Sequence, residues 1–152
     1  MKATTRLVGV LAIALLLPGC KLIFEPPEDC LARLFEALVS KDYGAVERLL
    51  DDPAMMDDLR VLAAAFNSPL YKGKTGYWKT VEVEVDEETG LTYAFVEVEV
   101  PQPSPKGSRK AIQSKYYEIV FEMERNWLVW TIYYIEDIDI LLKAIDRAQT
   151  AK

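Results

Sequence analysis

"WKTVEVEVDEETGLTYAFVEVEV", residues 78–100, alternates apolar and polar side chains on either side of a short polar break. A period of two marks a strand with one buried face and one wet face. Val81, Val83 and Val85 fall on one side, and Glu82 and Glu84 on the other. On the return, Thr92, Ala94, Val96, Val98 and Val100 fall together. Pairing Val83 with Ala94 and Val81 with Val96 brings like faces together and leaves "EETG" as the loop. Gly90 then supplies the permissive backbone angle such a turn often needs. The same register sets Glu82 opposite Phe95 and Glu84 opposite Tyr93, so no two carboxylates are directly paired across these strands.

Working outward, "PQPSPKGSRKA" (residues 101–111) holds three prolines that would delete ladder donors, so it reads as a loop. Beyond it, "SKYYEIVFEMERNWLVWTIYYIE" (residues 114–136) forms a second hairpin. A tight turn at Arg125-Asn126 faces Met123 with Leu128, Phe121 with Trp130, Ile119 with Ile132 and Tyr117 with Tyr134. A one-residue slip would turn one strand's apolar set to the wrong side. The opposite face is mixed, and Val129, Tyr133 and Ile135 on it offer a surface through which two copies can pair.

Upstream the period changes to that of a helix. Leu31, Leu34, Phe35 and Leu38 share one face, with Glu28 and Asp29 at the positive N-terminal end. Asp42 can cap a second helix carrying Val46, Leu49 and Leu50. A third covers Ala54 to Phe66, and Asn67-Ser68-Pro69 closes it. Ile138 to Ala148 has helical spacing again. Three helices, a four-stranded antiparallel meander and a C-terminal helix make an α+β domain, with the N-terminal helices covering one face of the sheet.

The first residues have a different character. "LVGVLAIALLLPGC" (residues 7–20) follows Lys2 and Arg6, and Leu7 to Leu17 is eleven residues without a polar side chain. A membrane span needs about 20 residues to cross a hydrocarbon core of about 30 Å. A charged start, a short apolar run and small residues instead have the layout of a secretory signal. Leu17-Pro18-Gly19-Cys20 resembles the lipobox of bacterial lipoproteins, with Pro18 where Ala or Ser is usual. The resemblance implies cleavage between Gly19 and Cys20, diacylglycerol on the Cys20 thiol, and often acylation of the new amine. Two or three acyl chains hold a protein where one gives marginal binding. Lys21 stands where the inner-membrane retention signal of enteric bacteria would have Asp. The resemblance therefore implies a periplasm-facing anchor in the outer membrane. Residues 1–19 form the signal, 20–27 a tether stiffened by Pro26 and Pro27, and 28–152 a single domain.

Cleavage would leave 133 residues. Of 18 basic side chains, Lys2 and Arg6 would be lost, leaving 16 against 24 acidic and a net charge of −8. That balance excludes ordinary nucleic-acid binding, which needs clustered Lys and Arg. The chain has no His, which removes the commonest general base and metal ligand. With Cys20 acylated, Cys30 has no partner in the chain, and beside Leu31 and Leu34 it reads as a small buried side chain. No residue set calls for a cofactor or a metal. Glu82, Glu84, Glu97 and Glu99 are spread along strands rather than converging from a turn as calcium ligands do.

The body resembles the nuclear-transport-factor-2-like, or cystatin-like, superfamily. "LARLFEALVSKDYGAVERLL" (residues 31–50) matches its paired-helix opening, and "YYEIVFEMERNWLVWTIYYI" (residues 116–135) its closing hairpin. The helix from Ile138 lies outside the usual core and reads as an addition or a lid. The resemblance implies a cone enclosing a pocket, used by some members for catalysis and by many for binding or dimerisation. No catalytic position carries over, because no residue here matches such a set.

Tyr117, Phe121, Trp130 and Tyr134 fit either a filled core or the lining of an apolar-ligand pocket. Lys106, Arg109, Lys110 and Lys115 form a basic stretch, and Tyr71, Tyr77 and Trp78 lie near Lys72, Lys74 and Lys79. Either group is a solvated surface or a partner contact. The functional expectation is a lipid-anchored envelope protein acting as a non-catalytic interaction domain. A small apolar-ligand binder comes second, and an enzyme using the cone third.

Overall fold

The computed structural model describes residues 25–103 and 113–151. The signal segment, Cys20, and Lys106, Arg109 and Lys110 of the basic stretch lie outside them. Helix α1, Pro27–Ser40, starts on Pro27, whose missing N–H would be unsatisfied at that position in any case. Lys41 ends it in the left-handed conformation (φ 58). The Asp42 N–H then donates to Ala37 O at 2.9 Å and the Lys41 N–H to Leu38 O at 3.2 Å, the paired closure of a Schellman motif. Asp42 at once caps α2, Tyr43–Glu47, its carboxylate accepting from the Ala45 N–H at 3.0 Å. A 3-10 turn at Pro53–Met55 leads into α3, Met56–Phe66, and a second at Pro69–Tyr71 leads to the sheet.

Strands β1 (Trp78–Val85), β2 (Thr92–Pro101), β3 (Ser114–Asn126) and β4 (Val129–Glu136) form one antiparallel meander in that order. Helix α4, Ile138–Thr150, follows. The α+β class and the order of elements are as the sequence predicts. The inner face of β2 is Thr92, Ala94, Val96, Val98 and Val100, all buried. Leu31, Leu34, Phe35 and Leu38 of α1 join the same apolar cluster, as do Leu59 and Leu62 of α3. Helix α4 contributes Leu141 and Ile145 to that cluster and packs against α3 as well as over β2 and β3. It is therefore a wall of the core rather than a lid. None of the described helices is long and apolar enough to cross a membrane.

In the first hairpin Val83 pairs with Ala94, Glu82 with Phe95 and Glu84 with Tyr93, as the alternation predicts. Val81 does not pair with Val96, because a bulge there sets Thr80 opposite Val96 and Trp78 opposite Val98. An extra residue flips the strand's parity, so Val81 is exposed and Trp78 turns inward. The Trp78 ring stacks on Phe35 at 4.5 Å and 11°. Burying the largest side chain of β1 outweighs keeping one valine inside.

The second hairpin turns two residues later than Arg125-Asn126 would place it. Asn126 pairs with Val129, leaving Trp127-Leu128 as the turn. Met123 then opposes Ile132, and Arg125 opposes Trp130, with its guanidinium 5.9 Å from the indole centroid. Longer strands add ladder hydrogen bonds and place Ile132 beside Leu49, which accepts its N–H at 2.7 Å. A further bulge at Tyr133 sets Tyr134 opposite Glu122 and Ile135 opposite Phe121. Ile135 is therefore buried, and only Val129 and Tyr133 of the proposed pairing surface are exposed.

The sheet's two edges are guarded differently. Residues 49–51 pair with Ile132 and cover part of β4, while β1 carries its bulge and Lys79, Glu82 and Glu84. Such devices discourage strand addition.

Where β2 ends, Glu99 accepts from Lys74 Nζ at 2.7 Å and from the Ser114 hydroxyl. The Lys74 bond, followed by the Ser114 bond, holds its carboxyl below the usual range. A lowered folded value means the stabilisation is fully present above the unfolded value near 4.5 and is lost as pH falls through the folded one. Glu99→Gln is expected to cost about 1–2 kcal/mol at pH 7. In urea unfolding, the gap to the unsubstituted protein should close below pH 4.5, and a gap constant down to acid pH would contradict this role.

Candidate functional site

The described helices cover one face of the sheet, and among the described residues the other face is open. The β2–β3 register places side chains across that open face in rows. Glu82, Phe95, Val120 and Glu136 form the central row, apolar in the middle with a carboxylate at each end. Glu84, Tyr93, Glu122 and Tyr134 form the next, and Lys79, Glu97 and Glu118 the third. Glu97 and Glu118 stand directly opposite each other, a cross-strand arrangement that costs stability. Tyr116, 65 % exposed, lies opposite Glu99 at one end. Tyr133 lies toward the other, with its phenol pKa raised chiefly by its hydrogen bond to Glu124. The face thus interleaves aromatic side chains with carboxylates around a central Phe95–Val120 pair. Alternation within each strand shows the carboxylates from sequence. The Glu97–Glu118 juxtaposition depends on β2–β3 pairing across the 101–113 connection, which no tight turn specifies.

The four aromatics singled out from sequence do not share a surface. Phe121 is fully buried and meets Phe35 edge-on at 6.0 Å and 72°. Trp130 is buried, and its indole N–H donates to Glu25 O at 2.9 Å. Tyr117 is half-buried opposite Val98 and packs at the margin of the core. Tyr134 lies on the open face, more than half exposed, because the Tyr133 bulge reverses the parity of β4. Phe121 and Trp130 are core residues, and Tyr134 belongs to the opposite side of the sheet.

Tyr71 and Tyr77 are likewise interior. They pack on Phe66 at 5.3 and 4.8 Å and on each other at 4.8 Å. The Tyr71 hydroxyl donates to Glu99 O at 2.9 Å, and burial pushes its pKa well above the ordinary phenol value. Lys74 is held by Glu99. The Tyr71–Lys79 region therefore builds the core and its rim. Cys30 is fully buried, and burial raises its thiol to about 11 against a partial offset from Arg33. At neutral pH its thiolate fraction is negligible, which makes it a poor nucleophile.

The "DEETG" loop spends its first carboxylate on itself. Asp86 accepts from the Glu88 N–H at 2.9 Å and the Thr89 hydroxyl at 2.7 Å, and the latter bond leads in lowering its pKa. Gly90, at φ 74, closes the turn with its N–H on Asp86 O at 2.8 Å. Among the described residues, no three His, Cys, Asp or Glu side chains converge as a metal site.

Clefts open at the surface in several places. One of about 790 Å³ lies between α1, α2 and the start of β4 beside Arg33, Glu36, Arg48 and Val129. A smaller one of about 370 Å³ runs beside Lys79, Glu97, Glu99 and Tyr116 along the open sheet face. No protein-family model, curated protein or solved structure matches the chain.

Proposed function

We propose that the protein is a lipid-anchored component of the bacterial cell envelope whose folded part is a non-catalytic interaction domain. The observation that carries this reading is the outer sheet face, where Phe95, Val120, Tyr116 and Tyr134 sit among carboxylates and no described helix packs over them. Aromatic side chains with a polar rim suit a protein partner. The surrounding carboxylates favour one that presents Lys or Arg. The packed inner face supports docking on the outside over a ligand within. Phe35, Ile119, Phe121 and Met123, where a cone-shaped pocket would lie, are fully buried side chains. The lipobox-like Leu17–Cys20 supplies the envelope address, at the periplasmic side of the outer membrane. The nuclear-transport-factor-2-like resemblance belongs to the same proposal, with the domain used for binding rather than catalysis.

Site-specific photo-crosslinking in the native host tests the docking face. A benzophenone side chain at Tyr116 or Tyr134 is expected to give a discrete adduct in the envelope fraction. The same group at Val61, exposed on α3, is expected to give none. Equal crosslinking from all three positions, or none from the sheet face, would contradict the reading.

A further inference from the structure

We infer that the β3–β4 turn, Trp127-Leu128-Val129, is a second membrane contact, resting at the boundary between headgroups and acyl chains beside the lipid anchor. This inference rests on the proposed acylation of Cys20. Trp127 is 95 % exposed, and Leu128 and Val129 are about half exposed, so three apolar side chains cluster at the tip of one hairpin. Trp127 also sits at φ 60, the conformation a two-residue hairpin turn takes at its first position. Gly, Asn or Asp satisfies that angle with less strain. The indole contributes almost nothing to the core, since nearly all of it faces solvent.

The place where the described chain begins identifies the occupant. The Trp130 indole donates to Glu25 O at 2.9 Å, and Arg33 holds the Glu25 carboxylate at 2.8 Å. The chain leading back to Cys20 is therefore fastened at the start of β4, at a residue three positions from Trp127. From Glu25 to Cys20 there are five residue steps, which span at most about 18 Å when fully extended. An acyl group on Cys20 thus brings the bilayer to the end of the molecule where this turn projects. Tryptophan prefers that interface because its ring is apolar and its N–H is polar. With a mature charge of −8, attraction to anionic lipid is not the driving force. The contact is apolar and should form on zwitterionic lipid.

The test uses the acylated protein beginning at Cys20, reconstituted into phosphatidylcholine vesicles with or without bromine-labelled acyl chains. Trp127 emission is isolated by subtracting the spectrum of Trp127→Phe. The expected result is a blue-shifted Trp127 component that loses intensity in the brominated vesicles. Water-like, unquenched emission from protein whose intact mass includes the acyl chains would overturn the contact and leave the anchor standing. A blue shift without bromine quenching that grows with protein density would assign the turn to a second copy of the chain and also overturn it. Absence of the acyl mass would overturn the anchor and this contact together.

Discussion

Replacing Phe35 by Ala is expected to cost about 3–5 kcal/mol of folding stability. A domain of this size has about 5–15 kcal/mol in total, so much of it would be lost. Phe35 is fully buried and meets three other rings. It stacks on Trp78 at 4.5 Å, meets Phe121 edge-on at 6.0 Å and lies 6.1 Å from Phe66. Those partners belong to β1, β3 and α3, so one side chain of α1 ties the helical layer to the sheet. Truncation removes the transfer free energy of the ring and leaves a cavity that three rigid aromatic neighbours cannot easily close. Phe35→Leu, which refills most of the volume, should recover the larger part. Urea unfolding of the two variants measures this. A loss below about 1 kcal/mol for Phe35→Ala would mean the site is already hollow, which would restore the pocket reading.

The second large effect concerns position 20. Cys20→Ala removes the only thiol at the proposed cleavage site, since Cys30 is ten residues on and buried. No acyl chain can then form a thioether there. Each buried CH₂ of an acyl chain contributes about 0.8 kcal/mol to membrane binding, so losing two or three chains removes the anchor entirely. Membrane fractionation of the native host should find the unsubstituted protein in the membrane pellet. The Cys20→Ala variant should remain as an unprocessed precursor or be released in soluble form. A processed, acyl-free variant that stays with the membrane would contradict the anchor. The exposed Trp127 turn alone is too small a contact to retain it.

Strict alternation in residues 78–100 made the first hairpin legible, and helical spacing with Asp42 as a cap made α1 and α2 legible. The departures share a cause. At Val81 and at Tyr133, a bulge inserts one residue so that Trp78 and the wholly apolar Ile135 turn against the core. Alternation carries no mark of such an insertion, because the choice depends on what the helices present from across the interface. The Trp127-Leu128 turn was hidden for a related reason. Arg125-Asn126 has better local turn chemistry, but extending the strands pairs Met123 with Ile132 over Leu49. Tyr134 changes faces because of the Tyr133 bulge, since a two-residue shift of the turn alone keeps parity. The open sheet face was half visible, as a row of glutamates, while its apolar centre, Phe95 beside Val120, emerged only once β2 lay against β3.

The proposed envelope location would give the open face and the exposed turn their setting, and it stands or falls on residue 20. Intact-mass analysis of the protein purified from its native host's membranes tests it most directly. The expected species is a polypeptide beginning at Cys20, heavier than the peptide mass by a diacylglyceryl group and, where the amine is acylated, one further chain. A mass that retains residues 1–19, or a Cys20 terminus without added lipid, would contradict it.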